Sequence, residues 1–139
     1  MVALGISGSV VLFVIFAIHV YWMLGGKVGF DRAIPPDKQG EIRIPSPLEY
    51  AVTLLLFLIA ALLPLIALQV ISIPLPDWMM RAALIGGLGI LVVRGVGGLV
   101  WSLLKPSPRE PFHNWNIKLY TPICIFLALS YFACLWLSW

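Results

Sequence analysis

One arginine sets the chemical question. Arg94 lies in LVVRGVGG, Leu91–Gly98, within an apolar run that carries no other charge from Ala82 to Leu104. A guanidinium stays charged at any ordinary pH and presents a planar fork of donors that fits a phosphate or a carboxylate. His19, Trp22, Asn116 and Tyr120 are the other polar-tipped side chains placed to join it. These residue types suit the binding, or the transport, of a small anionic or amphipathic ligand, with Arg94 holding the charge and His19 and Tyr120 donating hydrogen bonds. Imidazole is also a common general acid or base, so a membrane enzyme acting on a lipid or isoprenoid through His19 is the alternative. A third reading is an accessory subunit of a membrane complex, with Arg94 as a strut bonded to backbone carbonyls.

Other chemistries lack the residues they need. Haem ligation takes two opposed histidines or one with another axial ligand, but His19 falls in a helix and His113 in a loop. No cluster of histidines and carboxylates is present for a metal, and neither a metal nor a cofactor is expected. The segment Gly95-Val96-Gly97-Gly98 falls inside a helix and not after a strand, so it is not a phosphate loop. Cys124 and Cys134, if on one helix, stand about 15 Å apart along it, too far for a disulfide, and read as small buried apolar residues.

The elements that position Arg94 follow from composition. With 61% hydrophobic and only 11% charged residues in 139, the chain cannot cover a water-exposed surface, so lipid is its solvent. The expectation is one integral membrane domain, residues 1–139, with an all-α fold: an antiparallel four-helix transmembrane bundle. The spans fall at about 4–24, 47–70, 78–104 and 122–139, each near the roughly 20 residues a bilayer requires. The first has no basic segment before it and no small-residue cleavage site after it, so it reads as a retained helix. Ser46-Pro47-Leu48-Glu49 is a capping box with proline at the first helical position. Pro64 should bend the second span, Asp77 caps the third, and Thr121-Pro122 marks the start of the fourth.

Charge gives an orientation. The net charge of +3 lies in the connections and not on the spans, so it reports lipid contact and topology, and nucleic acid is not an expected partner. The first and third connections carry seven basic residues, Lys27, Arg32, Lys38, Arg43, Lys105, Arg109 and Lys118, whereas the other side has Arg81 alone. The positive-inside rule then puts these connections in the cytoplasm and both termini outside the cell membrane. Trp115 and Tyr120 suit the headgroup level.

In that frame Arg94 is near the middle of the third span. Helical side chains lean toward the N-terminus, which here points away from the basic loops, so a buried partner is expected. Ala83, Gly87, Arg94, Gly98 and Trp101 share a stripe, and its glycines let a backbone or ligand come close. No carboxylate lies in a span core. Candidate partners are therefore His19, Tyr120, carbonyls freed near Pro64, and a bound anion. His19, Arg94 and Tyr120 are expected to line one inward-facing polar cavity, covered by the Gly25–Ser46 connection. In the fourth helix Tyr120, Cys124, Leu127 and Tyr131 form a stripe expected to be ordinary packing. Membrane lipids and a small anionic ligand are the expected partners, and self-association into a homo-oligomer stays open.

HVYWMLGGKVG, Arg94-Gly95-Val96-Gly97 and FHNWNIKLYTPIC together resemble a bacterial family of small four-span membrane proteins of unknown function. Its pattern resembles H-x-Y-W-x-L-G-G-x-x-G, then R-x-x-G-D, then F-x-x-x-D-x-x-x-Y-S-P-x-C. The matching positions are His19, Tyr21, Trp22, Gly25, Gly26, Arg94, Gly97, Phe112, Tyr120, Pro122 and Cys124. Gly98 and Asn116 depart from it, each standing where that pattern is acidic. The resemblance implies that this chain lacks counter-charges for its arginine, which leaves Arg94 freer to meet an anion. It implies no activity.

Overall fold

The computed structural model describes residues 1–34, 41–104 and 112–138, and the positions named above as Lys38, Lys105, Arg109 and the side chain of Trp101 fall outside what it describes. The described residues form helices without a strand: α1 (Val2–Met23), α2 (Phe30–Ala33), α3 (Pro47–Ala67), α4 (Asp77–Leu104), α5 (Phe112–Trp115), a π-helical turn (Asn116–Tyr120) and α6 (Thr121–Leu137). Four segments are long and apolar enough to cross a bilayer: α1, α3, α4 and the continuous run Phe112–Leu137. Three match the sequence reading within a few residues. The fourth begins more than two turns before Thr121, because α5 runs through the π turn into α6.

Tyr120 and Thr121 are therefore already helical, and Thr121 caps nothing. Pro122 is tolerated because the wider π turn just before it loosens the ladder its ring would otherwise strike. The start of α3 is as the sequence indicates. The Ser46 hydroxyl accepts from the Glu49 amide at 3.3 Å, and a Glu49 carboxylate oxygen accepts from the Ser46 amide at 2.7 Å. The other Glu49 oxygen pairs with Arg43 at 2.7 Å. Asp77 stands in the first turn of α4, where a negative charge meets the positive end of the helix dipole.

α1 packs on α3 along one side and on α6 along another, and α6 in turn carries α4. Leu12, Ala61, Leu84, Leu127, Tyr131 and Cys134 form the buried centre. Lipid offers apolar side chains no hydrophobic reward for meeting, so close backbone approach has to hold these helices. Gly8 lies directly against Ser130, and Gly87 against the Tyr131 ring, each where a Cβ would collide.

Tyr131 also explains how α3 keeps a proline. Pro64 has no N–H for the carbonyl of Ala60, four residues before it. The Tyr131 hydroxyl donates to that carbonyl at 2.6 Å. The stripe expected as ordinary packing thus includes a specific interhelical bond.

At one end the connections are clasped. Gly25 (φ 95°) and Gly29 (φ 77°) turn the chain after α1, and the Trp22 indole donates to the Val28 carbonyl at 2.9 Å. α2 then packs on α5. The Tyr120 hydroxyl donates to the Arg32 carbonyl at 2.9 Å, and the Arg32 guanidinium lies 5.0 Å above the Trp115 ring. At the opposite end Arg81 donates to the Ser138 carbonyl at 3.2 Å, tying the start of α4 to the end of α6.

Candidate functional site

α4 turns Leu84, Gly95 and Ser102 inward and leaves Gly86, Gly89, Ile90, Val93, Val96 and Gly97 exposed. Arg94 sits at the seam between these faces. Its Nη1 donates to Oδ1 of Asn116 at 3.0 Å. The Asn116 amide nitrogen donates onward to the Gly98 carbonyl at 3.1 Å and to the Ser102 hydroxyl at 2.8 Å. Asn116 and Ser102 are each 4% exposed, whereas Arg94 itself is exposed.

This geometry corrects the expected direction of the side chain. Arg94 does not lean toward the N-terminus of α4; its guanidinium runs toward the loop-rich end, alongside Gly98. The reason is local. A side chain at position 98 would occupy the space Nη1 fills, and glycine leaves it clear. The π turn supplies the partner. Asn116 opens it directly after Trp115, and Tyr120 closes it, reaching Arg32. π turns often occur where a helix must re-aim side chains for function.

The partner is a neutral amide. A hydrogen bond to Asn116 satisfies one donor of the guanidinium but cancels none of its charge. Beside Arg94 lies an open groove of about 560 Å³ lined by Gly86, Gly89, Ile90, Val93, Arg94 and Gly98. All six belong to α4, so the groove lies on the outer face of the bundle. It can take an anionic oxygen at one end and hydrocarbon along its length. Among the described residues no three of His, Cys, Asp and Glu gather as a metal site would need.

The single cavity expected from His19, Arg94 and Tyr120 is not what the structure builds. α1 packs on α3 and α6 and not along α4. The His19 ring lies against Phe57 of α3, with centroids 4.6 Å apart, and against Trp22 at 5.0 Å. Its Nδ1 bonds to the Ile15 carbonyl at 2.8 Å. Tyr120 and Trp22 fasten the connections. The carbonyl freed by Pro64 goes to Tyr131 and not to Arg94. Of the Gly25–Ser46 connection, α2 packs on α5, and no residue of the described part lines the groove.

Of the five site residues read from sequence, Arg94 and Asn116 come together. Ser102 was not among them, although Arg94, Gly98 and Ser102 stand at successive steps of four on one helix, which is the spacing that would have found it.

The model of DUF3995, a family described as protein of unknown function, matches residues 12–131. The chain belongs to DUF3995. The match takes in Arg94, Asn116, Gly98 and Ser102, so the network of this DUF3995 chain lies wholly inside the family region. No curated protein and no solved structure matches the chain.

Proposed function

We propose that this multi-pass membrane protein holds a small anionic or amphipathic ligand at Arg94. One observation carries the reading: an exposed guanidinium whose acceptor among the described residues is the uncharged Asn116 amide, beside an open groove on a membrane-spanning helix. A charge on the lipid-facing side of a membrane-spanning helix is costly unless it is compensated. A phosphate or carboxylate oxygen compensates it with charge-assisted bonds that an amide cannot match. Holding a ligand requires no proton transfer, and His19 packs against aromatic rings with Nδ1 engaged, so catalysis is not part of the proposal. The basic residues of the clasped connections favour a cytoplasmic placement of that end, with both termini outside.

The test is native mass spectrometry of the protein released from gentle, uncharged detergent, wild type beside Arg94→Met. A defined acidic extra mass on wild type, lost by a folded Arg94→Met, supports the proposal. Equal masses on both proteins contradict it.

A further inference from the structure

The groove beside Arg94 has a direction, and from it we infer that its occupant is an anionic lipid taken sideways from the surrounding bilayer, acidic headgroup on Arg94 and one acyl chain along Gly86, Gly89, Ile90 and Val93. The inference rests on the reading of Arg94 as an anion-binding residue and goes beyond it in naming the class of ligand and the route of entry.

The order of chemistry along α4 is that of an amphiphile in one leaflet. The guanidinium bends toward Gly98 and meets Asn116, next to Trp115, at the end where α2 and α5 pack together. From Arg94 the groove runs the other way, through Val93, Ile90 and Gly89 to Gly86. The eight steps from Arg94 to Gly86 cover about 12 Å of helix, heading into the bilayer interior. Polar at the headgroup end and apolar toward the midplane is the sequence in which a membrane lipid presents its own parts.

Access also favours a lipid over a dissolved anion. The groove lining belongs to α4 alone, and Gly86, Gly89, Ile90 and Val93 are exposed on the outside of the bundle. In a bilayer that face meets acyl chains. A free phosphate would have to cross them, whereas a lipid already present needs only to rotate into place. The volume, about 560 Å³, is that of an ordinary small-molecule site.

Charge decides against a second copy of the chain. Two α4 helices packed face to face about an axis along the membrane normal would bring two Arg94 guanidinium groups together, and like charges repel strongly where water is scarce. An acidic headgroup supplies the opposite charge, and phosphate and carboxylate both fit the guanidinium fork.

The experiment uses spin resonance with acyl-labelled phosphatidic acid and acyl-labelled phosphatidylcholine in phosphatidylcholine bilayers holding the full-length protein. Wild type is expected to immobilise phosphatidic acid about tenfold more strongly than phosphatidylcholine, the scale of one charge-assisted contact. Gly86→Ile and Gly89→Leu fill the groove without touching the bundle, since a Cβ at either position meets nothing within 4 Å. Both are expected to lower the preference toward that of phosphatidylcholine while melting like wild type, and Arg94→Met is expected to abolish it. If the two glycine variants keep the full preference, or if inorganic phosphate displaces the labelled lipid, the site takes a headgroup or a dissolved anion without its chain. The lipid inference then fails while anion binding at Arg94 stands. If either glycine variant changes the mass of the assembly, the groove holds another helix and the inference is wrong. If Arg94→Met keeps the wild-type preference, both readings fall.

Discussion

The guanidinium of Arg94 occupies the space that a side chain at position 98 would need: a Cβ built on Gly98 lies 2.6 Å from Nη1. Four residues apart on one helix, the two positions act as a pair. The glycine lets the arginine run toward the loop-rich end, and there it meets Asn116.

Gly98→Ala is therefore expected to displace the flexible end of Arg94 and break its bond to Asn116, a loss of about 1 kcal/mol that offsets the gain in helix propensity. Gly97→Ala is the control. Nothing lies within 4 Å of a Cβ there, so the better helix propensity of alanine should stabilise by a few tenths to about 1 kcal/mol. Unfolding of both variants in one detergent reads the difference, with Gly97→Ala the more stable. Equal stabilisation by both would show that position 98 has no special relation to Arg94.

Asn116→Leu removes the acceptor for Arg94 and the donor for both Gly98 and Ser102 at a nearly fully buried site. A loss of about 1–3 kcal/mol is expected, the usual cost of leaving buried polar groups unpaired. Ser102→Ala, which removes one acceptor only, should cost less. Thermal melts of the two variants test the order.

Tyr131 and Pro64 should be coupled although they sit on different helices. Tyr131→Phe leaves the Ala60 carbonyl without its donor and is expected to destabilise by about 1 kcal/mol. In a Pro64→Ala background the chain regains an amide at position 64 that can take the Ala60 carbonyl within the helix. The cost of Tyr131→Phe should then shrink toward zero. A double-mutant cycle measures this directly, and additive losses would show that the hydroxyl is not there to satisfy the proline's orphan.

Gly8→Ala places a methyl against Ser130 at the α1–α6 contact, where neither backbone can move without opening the bundle. Overpacking of that kind costs about 1–3 kcal/mol. Ser130→Gly should restore part of the loss, which unfolding of the double variant would show.

Much of the fold was legible in the sequence because lipid imposes it. Runs of apolar residues with capped or proline-marked starts have one use at that length, and Ser46 and Glu49 form the capping box their spacing announces. The fourth helix was read too short because the apolar signal begins at Pro122. The helix begins at Phe112, in residues amphipathic enough to pass for a loop, and the π turn that joins the two parts has no sequence signature of its own. At the site, Arg94 stood out by its rarity. Asn116 was among the residues read as joining it, but its direct bond to Arg94 was not legible, because it lies twenty-two residues away across a connection and only the tertiary fold brings the two together. His19 was misplaced for the converse reason. Which helix it faces depends on the order α3, α1, α6, α4, which no local pattern encodes. The carbonyl freed by Pro64 was foreseen as one candidate partner for Arg94, and the structure gives it to Tyr131 instead.

The reading of Arg94 as an anion-binding residue is tested most directly by placing a carboxylate at its Asn116 acceptor. Asn116→Asp puts a carboxylate where the amide oxygen now lies 3.0 Å from Nη1. Titration of short-chain phosphatidic acid into wild type and into Asn116→Asp, both in uncharged detergent and both shown to be folded, compares the two. Wild type is expected to bind, and the variant to bind about tenfold more weakly or less, because its own carboxylate satisfies the guanidinium. Binding of equal strength by the two proteins, or none by wild type, would contradict an anion site at Arg94.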